Sequence, residues 1–130
     1  MSTEENKRVV RRFITEVLSG GNVGAIDELL APGYANPSAG VTNRDGFKAL
    51  VSSMNAAAPT RNFEFGDLVA EGDSVAFRGN MHVTLASGKV SARVITFYRL
   101  ANGLIVEDEP ISTPPLAEIL GRMMPPKSGT

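Results

Sequence analysis

Three adjacent acids, Glu107, Asp108 and Glu109, interrupt the stretch GLIVEDEPIST that runs from Gly103 to Thr113. The residues before them alternate as an amphipathic strand, yet neighbouring carboxylates repel one another and have low strand propensity, so local energetics does not account for them. Period-two alternation puts Ile105, Glu107, Glu109 and Ile111 on one face and Val106, Asp108, Pro110 and Ser112 on the other. Composition alone does not choose which face is inside. A carboxylate on the inner face would be pushed toward neutral pKa by burial, with like charge on its neighbours raising it further, and could exchange a proton with carbon or oxygen. On the outer face the three acids would be a hydrated strand end, with Pro110 marking an edge or bulge.

Other chemistries are poorly represented. The chain has no cysteine and one histidine, His82, which rules out disulfides, thiolate catalysis and a histidine-rich metal site; no metal is expected. No Gly-rich loop precedes a helix, and His82 has no plausible Ser and Asp partners, so any reaction is expected to need no cofactor. With 13 basic and 14 acidic residues in 130, the net charge of -1 gives no field to attract nucleic acid or an anionic membrane. The N-terminal MSTEENKRVVRRF is too charged for a signal peptide and no window reaches the length of a membrane span, so a cytoplasmic location is expected.

The elements that must position the acids follow from two periods. Ser2 with Glu5 forms a capping-box pattern, and Val9, Val10, Phe13, Ile14, Val17 and Leu18 recur at helical spacing until Gly20-Gly21. Asn22 can cap a shorter helix carrying Ala25, Ile26, Leu29 and Leu30, ended by Pro32 and Gly33. Residues 31–42, APGYANPSAGVT, read as a loop with at most a short bridge. Thr42 or Asn43 caps a third helix with Phe47, Leu50, Val51 and Met54 on one stripe, closed by Pro59. From there the period is two. A run with Phe63, Phe65 and Val69, a run from Ser74 to Ala86, one from Lys89 to Leu100 and the opening stretch are separated by Gly-containing turns and predict a four-strand antiparallel meander. Pro114-Pro115 fits the entry to a short last helix, LAEILGRMM. Residues 1–124 are expected to form one domain and residues 125–130 a disordered tail. Helices first and hairpins after imply an α+β fold, three helices covering one face of a curved sheet with a cone-shaped space between.

In the run from Ser74, the set Val75, Phe77, Gly79, Met81 and Val83 should face the helices, leaving Arg78 and His82 outside. The next run is apolar on both faces, since Val90, Ala92, Val94, Thr96 and Tyr98 alternate with Ser91, Arg93, Ile95, Phe97 and Arg99. Helices cover only one face. Ile95 and Phe97 therefore predict a homodimer packed through the outer face.

The segments DELLAPGYANP, FGDLVAEGDSVAFRG and ITFYRLANGLIVEDE, in this order and spacing, resemble the SnoaL-like polyketide cyclases within the nuclear-transport-factor-2-like superfamily, over roughly residues 4–122. The resemblance implies a cone-shaped roll whose curved, mostly antiparallel sheet is mixed at its edge. Family members commonly continue the last strand as Ile-Val-Glu-His-Trp-Asp, the His and Asp facing the pocket and the Asp acting as acid or base. Here Ile105, Val106 and Glu107 match, Asp108 and Glu109 stand at the next two positions, and Pro110 replaces the acid. A carboxylate, Asp108, sits one pleat earlier on the same face. The positions of the steroid isomerases' catalytic groups hold Asn36, Phe13 and Thr96, which excludes ketosteroid isomerase activity. The inferred inward strand positions supply no arginine for the Asp-Arg-Asp group of limonene-epoxide-hydrolase relatives.

The resemblance implies an apolar pocket lined by Phe13, Tyr34, Phe47, Leu50, Met54, Phe77, Met81, Val83, Val94 and Val106, with Asn36, Thr96, Tyr98, Asp108 and Ser112 as polar members. Asp108 is then the acid/base, and Asn36, Tyr98 or Thr96 donates to an oxygen where charge develops. The expected function is a cofactor-independent cyclisation, isomerisation or addition/elimination on a hydrophobic, oxygenated small molecule such as a polyketide-like intermediate. The alternative is a noncatalytic small-ligand-binding or scaffold protein of the same fold.

Overall fold

A computed structural model describes residues 2–123. Helix α1, Thr3–Arg12, starts where the Ser2 hydroxyl accepts the Glu5 N–H at 3.1 Å. Glu4 and Glu5 in its first turn and Arg11 and Arg12 in its last complement the helix dipole. The chain then widens into a π-helical segment, Phe13–Ser19, which ends at Gly20 and buries Phe13, Ile14 and Val17. The expected second helix is only a 3-10 turn, Val23–Ala25, and one turn of α2, Ile26–Leu29. Asn22 makes no side-chain cap, and Leu30 is already extended.

Residues 31–42 are not simply a loop. Strand β1, Leu30–Ala35, runs parallel to the last strand, and a 3-10 turn, Pro37–Ala39, follows it. Pro32 and Gly33 hid this strand from propensity reasoning, but β1 lies at the sheet edge, where a missing N–H is tolerated. Between the two candidate caps of α3, Arg44–Ala57, Asn43 does the work, its Oδ1 accepting the Gly46 N–H at 2.8 Å. Arg44 also donates to the Leu30 carbonyl at 3.2 Å, tying α3 to β1.

The meander consists of β2, Thr60–Glu71, β3, Ser74–Leu85, β4, Gly88–Ala101, and β5, Leu104–Thr113. With β1 they form one five-stranded sheet in the order β1-β5-β4-β3-β2. Asn102 and Gly103, both at positive φ, make the tight β4–β5 turn. Helix α4, Leu116–Met123, follows β5. The expected tail, 125–130, lies outside the described residues.

Of the three register shifts in the sheet, those in β2 and β5 reset its faces. In β2 the shift at Gly66 puts Leu68 inside and leaves Val69, expected in phase with Phe63 and Phe65, 61% exposed. Opposite it, a Cβ on Gly79 would lie 2.1 Å from the Glu64 carbonyl oxygen, so β2 and β3 approach here as only glycine permits. In β5 the shift falls at Val106: Arg99 pairs with Glu107, but Leu100 with Ile105. Ile105 and Asp108, three apart, are therefore both buried.

Between helices and sheet lies a core centred on aromatic rings. Phe13 packs 5.6 Å from Phe47 and 6.0 Å, edge on, from Tyr98, while Tyr34 packs edge on at 5.2 Å from Phe47. A second group joins Phe77 to Phe63 and Phe65. As expected, His82 lies on the outer sheet face, its Nδ1 2.9 Å from Ser91 Oγ.

Candidate active site

The helices and the inner sheet face enclose a cavity of about 70 Å³. The π segment, α3 and β2 bring apolar side chains to it, among them Leu18, Leu50 and Phe63. Strands β4 and β5 bring the polar ones: Thr96, Tyr98, Asp108 and Ser112, joined by Asn36 from the end of β1. Ala39 and Leu120 close one side, where α4 meets the 3-10 turn. Among the described residues, no lining residue other than Asp108 carries an ionisable carboxylate, and none is cationic.

Of the three acids in the opening stretch, the middle one is inside. Asp108 is 4% exposed, whereas Glu109 is exposed and Glu107 half-buried beside it. Burial raises the Asp108 carboxyl from its usual acidic range to about 7, and a hydrogen bond from Tyr34 opposes the rise. The neighbouring acids have no part in the shift, contrary to the expectation from their adjacency, because strand geometry turns them away. Tyr34 Oη donates to Asp108 Oδ2 at 2.9 Å.

Tyr98 faces Asp108 directly across the β4–β5 ladder. Burial first, then the Asp108 charge, push the phenols of both Tyr98 and Tyr34 well above the usual tyrosine range. Both remain protonated donors at neutral pH. Thr96 lies two residues along the same face of β4 and also lines the cavity.

The structure brings Asn36, Phe47, Leu50, Met54, Met81, Val94, Thr96, Tyr98, Asp108 and Ser112 together at the cavity. Five other residues expected in the lining do not reach it. Phe13 and Phe77 are core residues behind the wall, because their rings are consumed in the two aromatic groups. Tyr34 is not a wall residue either; its ring packs on Phe47 and its hydroxyl is spent on Asp108. Val106 leaves the inner face because the β5 register shift reverses its phase. Val83 is buried but stands away from the cavity.

Sequence reasoning also missed lining residues Leu18, Ala39, Phe63, Pro110 and Leu120. It missed an inward arginine too. Arg61 is 7% exposed, and its alternation with Phe63 and Phe65 was the available signal. Its guanidinium donates to the carbonyls of Leu18 at 2.7 Å and Ala58 at 3.0 Å and to Asn55 Oδ1 at 2.8 Å. It joins elements together and does not line the cavity. Among the described residues no group of three or more His, Asp or Glu side chains is placed to hold a metal ion, and no helix is long and apolar enough to cross a membrane.

The family model described as a SnoaL-like domain matches residues 10–108. Solved structures share the fold at low identity. A candidate polyketide cyclase from Acidithiobacillus ferrooxidans is 22% identical, with a TM-score of 0.76 over 95% of this chain and 100% of that one. TsrD from Streptomyces laurentii is 20% identical, with a TM-score of 0.78 over 94% and 98%. A ketosteroid-isomerase-like protein from Catenulispora acidiphila, solved with trimethylamine, is 17% identical, with a TM-score of 0.72 over 94% and 96%. No curated protein matched the sequence.

Proposed function

The chain belongs to the SnoaL-like family, and from that premise we propose that it is a cofactor-independent acid/base enzyme acting on a hydrophobic, oxygenated small molecule. One observation carries the reading: among the described residues a single carboxyl, Asp108, is buried in the apolar cavity, directly across the β4–β5 ladder from Tyr98. A pKa of about 7 lets that carboxyl take and return a proton at neutral pH.

The Asp108 carboxylate removes a proton from carbon next to a carbonyl. Tyr98 Oη–H donates to the carbonyl oxygen as the C–H electron pair moves through carbon onto it, forming an enolate. In isomerisation the proton returns from Asp108 to a different carbon. In cyclisation the enolate carbon attacks a second carbonyl of the same molecule, and the proton goes to the new alkoxide. Asn36 is a further donor at the wall. With no cation among the described lining residues, an uncharged substrate is favoured over an anionic one.

A cavity of about 70 Å³ holds only a few heavy atoms. A polyketide-like intermediate, the substrate class suggested by the Acidithiobacillus ferrooxidans neighbour, needs more room than this static cavity offers. The test is deuterium incorporation and double-bond migration, followed by proton NMR, on a panel of apolar 1,3-diketones and β,γ-unsaturated ketones. The protein should accelerate either process and Asp108→Asn should not. Equal rates with and without Asp108 would remove it from the mechanism.

A second reading, binding without turnover, is favoured by Pro110, which stands in the cavity wall where the family's usual acid is placed. The trimethylamine complex of the Catenulispora acidiphila neighbour is a precedent for a ligand of few heavy atoms. Saturable binding of a ketone with no exchange at any pH would favour this reading.

The functional unit is a homodimer joined through the outer sheet face. Ile95, Phe97, Ile111 and Val69 are exposed there, with Ile95 paired to Ile111 across the ladder. Arg93 and Glu109 flank this stripe without an ion-pair partner among the described residues, and a second copy offers each the opposite charge.

A further inference from the structure

We infer that the cavity is also a binding site for a small tertiary alkylammonium cation, whose N–H donates to the Asp108 carboxylate while its alkyl groups fill the apolar remainder. The inference rests on Asp108 lining the cavity and does not depend on turnover.

The charge comes first. Asp108 is only 4% exposed, and among the described residues no lysine, arginine or histidine reaches the cavity lining. Its one side-chain partner among them is neutral, the Tyr34 hydroxyl at 2.9 Å. The titratable groups that face it are Tyr34 from β1 and Tyr98 from β4. Glu107 and Glu109, its neighbours on β5, turn away, and the π segment, α3, β2, β3 and the described part of α4 place no charged side chain in the lining. An ionised carboxylate in apolar surroundings without a counter-charge is a costly group, and a cation that reaches it removes that cost. With the carboxyl pKa at about 7, the ionised form already dominates at pH 8.

The lining then selects among cations. A metal ion needs several oxygen ligands, and among the described residues no group of three or more acidic or histidine side chains is placed to supply them. Other polar atoms of the wall are already engaged: Asn36 Oδ1 accepts the Ala39 N–H at 3.2 Å, and Ser112 Oγ donates to the Pro114 carbonyl at 2.7 Å. A primary ammonium brings three N–H donors to this wall, whereas a tertiary ammonium brings one, which Asp108 accepts. The surface left for its alkyl groups is apolar, with Leu50, Met54 and Met81 in it. Phe47, Phe63 and Tyr98 also line the cavity, and aromatic rings attract a cation beyond what apolar contact gives.

Size narrows the class further. A cavity of about 70 Å³ takes roughly four or five heavy atoms. Leu50, Pro110, Ser112 and Leu120 in its lining are half-buried, so the lining continues to the surface.

The test is isothermal titration calorimetry at pH 5 and pH 8 with N,N-dimethylethylammonium chloride, tetramethylammonium chloride and tert-butanol, probes of equal heavy-atom count. Dimethylethylammonium should bind one to one at pH 8 and about 10²-fold more weakly at pH 5, where about a hundredth of Asp108 is ionised. The uncharged alcohol should show no such gain with pH. Tetramethylammonium, a cation without an N–H, should bind at pH 8 about 10-fold more weakly than dimethylethylammonium. In Asp108→Asn the pH dependence should vanish and the pH 8 affinity fall by about 10²-fold. Absence of saturable dimethylethylammonium binding at pH 8 overturns the inference. So does binding that keeps its strength in Asp108→Asn, which would place the cation at exposed carboxylates. Equal affinity for tetramethylammonium overturns the N–H contact that defines the site. Should Asp108→Asn fail to fold, the pH dependence and the alcohol comparison in the unaltered protein decide. A ketone panel that never reacts counts against the proposed enzyme and leaves this inference to its calorimetry; with a reactive ketone, dimethylethylammonium should inhibit competitively.

Discussion

Tyr98 and Asp108 are direct partners across the β4–β5 ladder, both on the inner face and both almost without solvent exposure. The pairing gives the cavity a proton acceptor and a hydrogen-bond donor on adjacent strands, held by backbone hydrogen bonds and not by a loop. Tyr98→Phe keeps the ring that packs edge on against Phe13 and removes only the hydroxyl. The fold should survive, with kcat lower by about 10²-fold and KM little changed. A comparable loss in KM with kcat intact would make Tyr98 a ground-state contact.

The pH dependence of turnover follows from the Asp108 carboxyl. Its ionised form is the base, so with a pKa of about 7 the rate should rise with pH and level off above that value. A profile of kcat/KM on an uncharged ketone measures this limb in the free enzyme. A plateau already complete near pH 5 would mean that the carboxyl titrates as an exposed one.

Stability should move in the opposite direction. Asp108 has a carboxyl pKa raised from 3.8 in the free group to about 7 in the fold, so the folded state binds its proton more tightly. Its favourable contribution is complete below about pH 4 and is lost as pH rises through about 7. Asp108→Asn imitates the protonated group at all pH values. The variant should therefore gain on the unaltered protein between pH 5 and 8, by up to about 4 kcal/mol at the upper end. Urea denaturation at both pH values reads the difference, and an advantage that shrinks as pH rises would contradict a buried carboxyl.

The outcome at Asp108 shows where sequence reasoning reaches and where it stops. Period-two alternation placed Val75 to Val83 and Val90 to Tyr98 on their faces because nothing interrupts the pleat in β3 and β4. Alternation failed in β2 and β5, where the shifts at Gly66 and Val106 change the phase through the backbone and leave no mark on side-chain pattern. In β5 alternation left both faces open, and it was likeness to a family that put Asp108 inside. The sequence implies Tyr34 in the wall because Pro32 and Gly33 mask β1, and with it the parallel pairing of Ala35 with Glu107 that brings Tyr34 to Asp108. A signal was present: Tyr34 and Asn36 lie two apart in GYANP, on one side of an extended segment.

The outer sheet face makes a separate prediction. Ile95 is 54% exposed and Phe97 39%, and neither has a role in the cavity. If a second copy covers them, Ile95→Glu places a charge in an apolar interface and should give a monomer by light scattering, with the fold preserved because the side chain already faces outward. A monomer before the substitution, at micromolar concentration, would remove the dimer.

The close approach of β2 to Gly79 sets the last test. Gly79 lies opposite Phe65, beside the β2 register shift, and a Cβ there would meet the Glu64 carbonyl oxygen at 2.1 Å and the Phe77 ring at 2.5 Å. The carbonyl belongs to the β2 backbone and cannot swing away as a side chain could. Gly79→Ala must therefore separate β2 from β3 or displace Phe77, which holds Phe63 and Phe65 in the core. The expected loss is about 1–3 kcal/mol in chemical denaturation, typical of overpacking. Gly40, at positive φ but with open space around its missing Cβ, is the control: Gly40→Ala carries backbone strain without a clash and should cost less. Equal losses at the two positions would mean that backbone conformation, and not the close approach of β2, is what requires glycine at the bend.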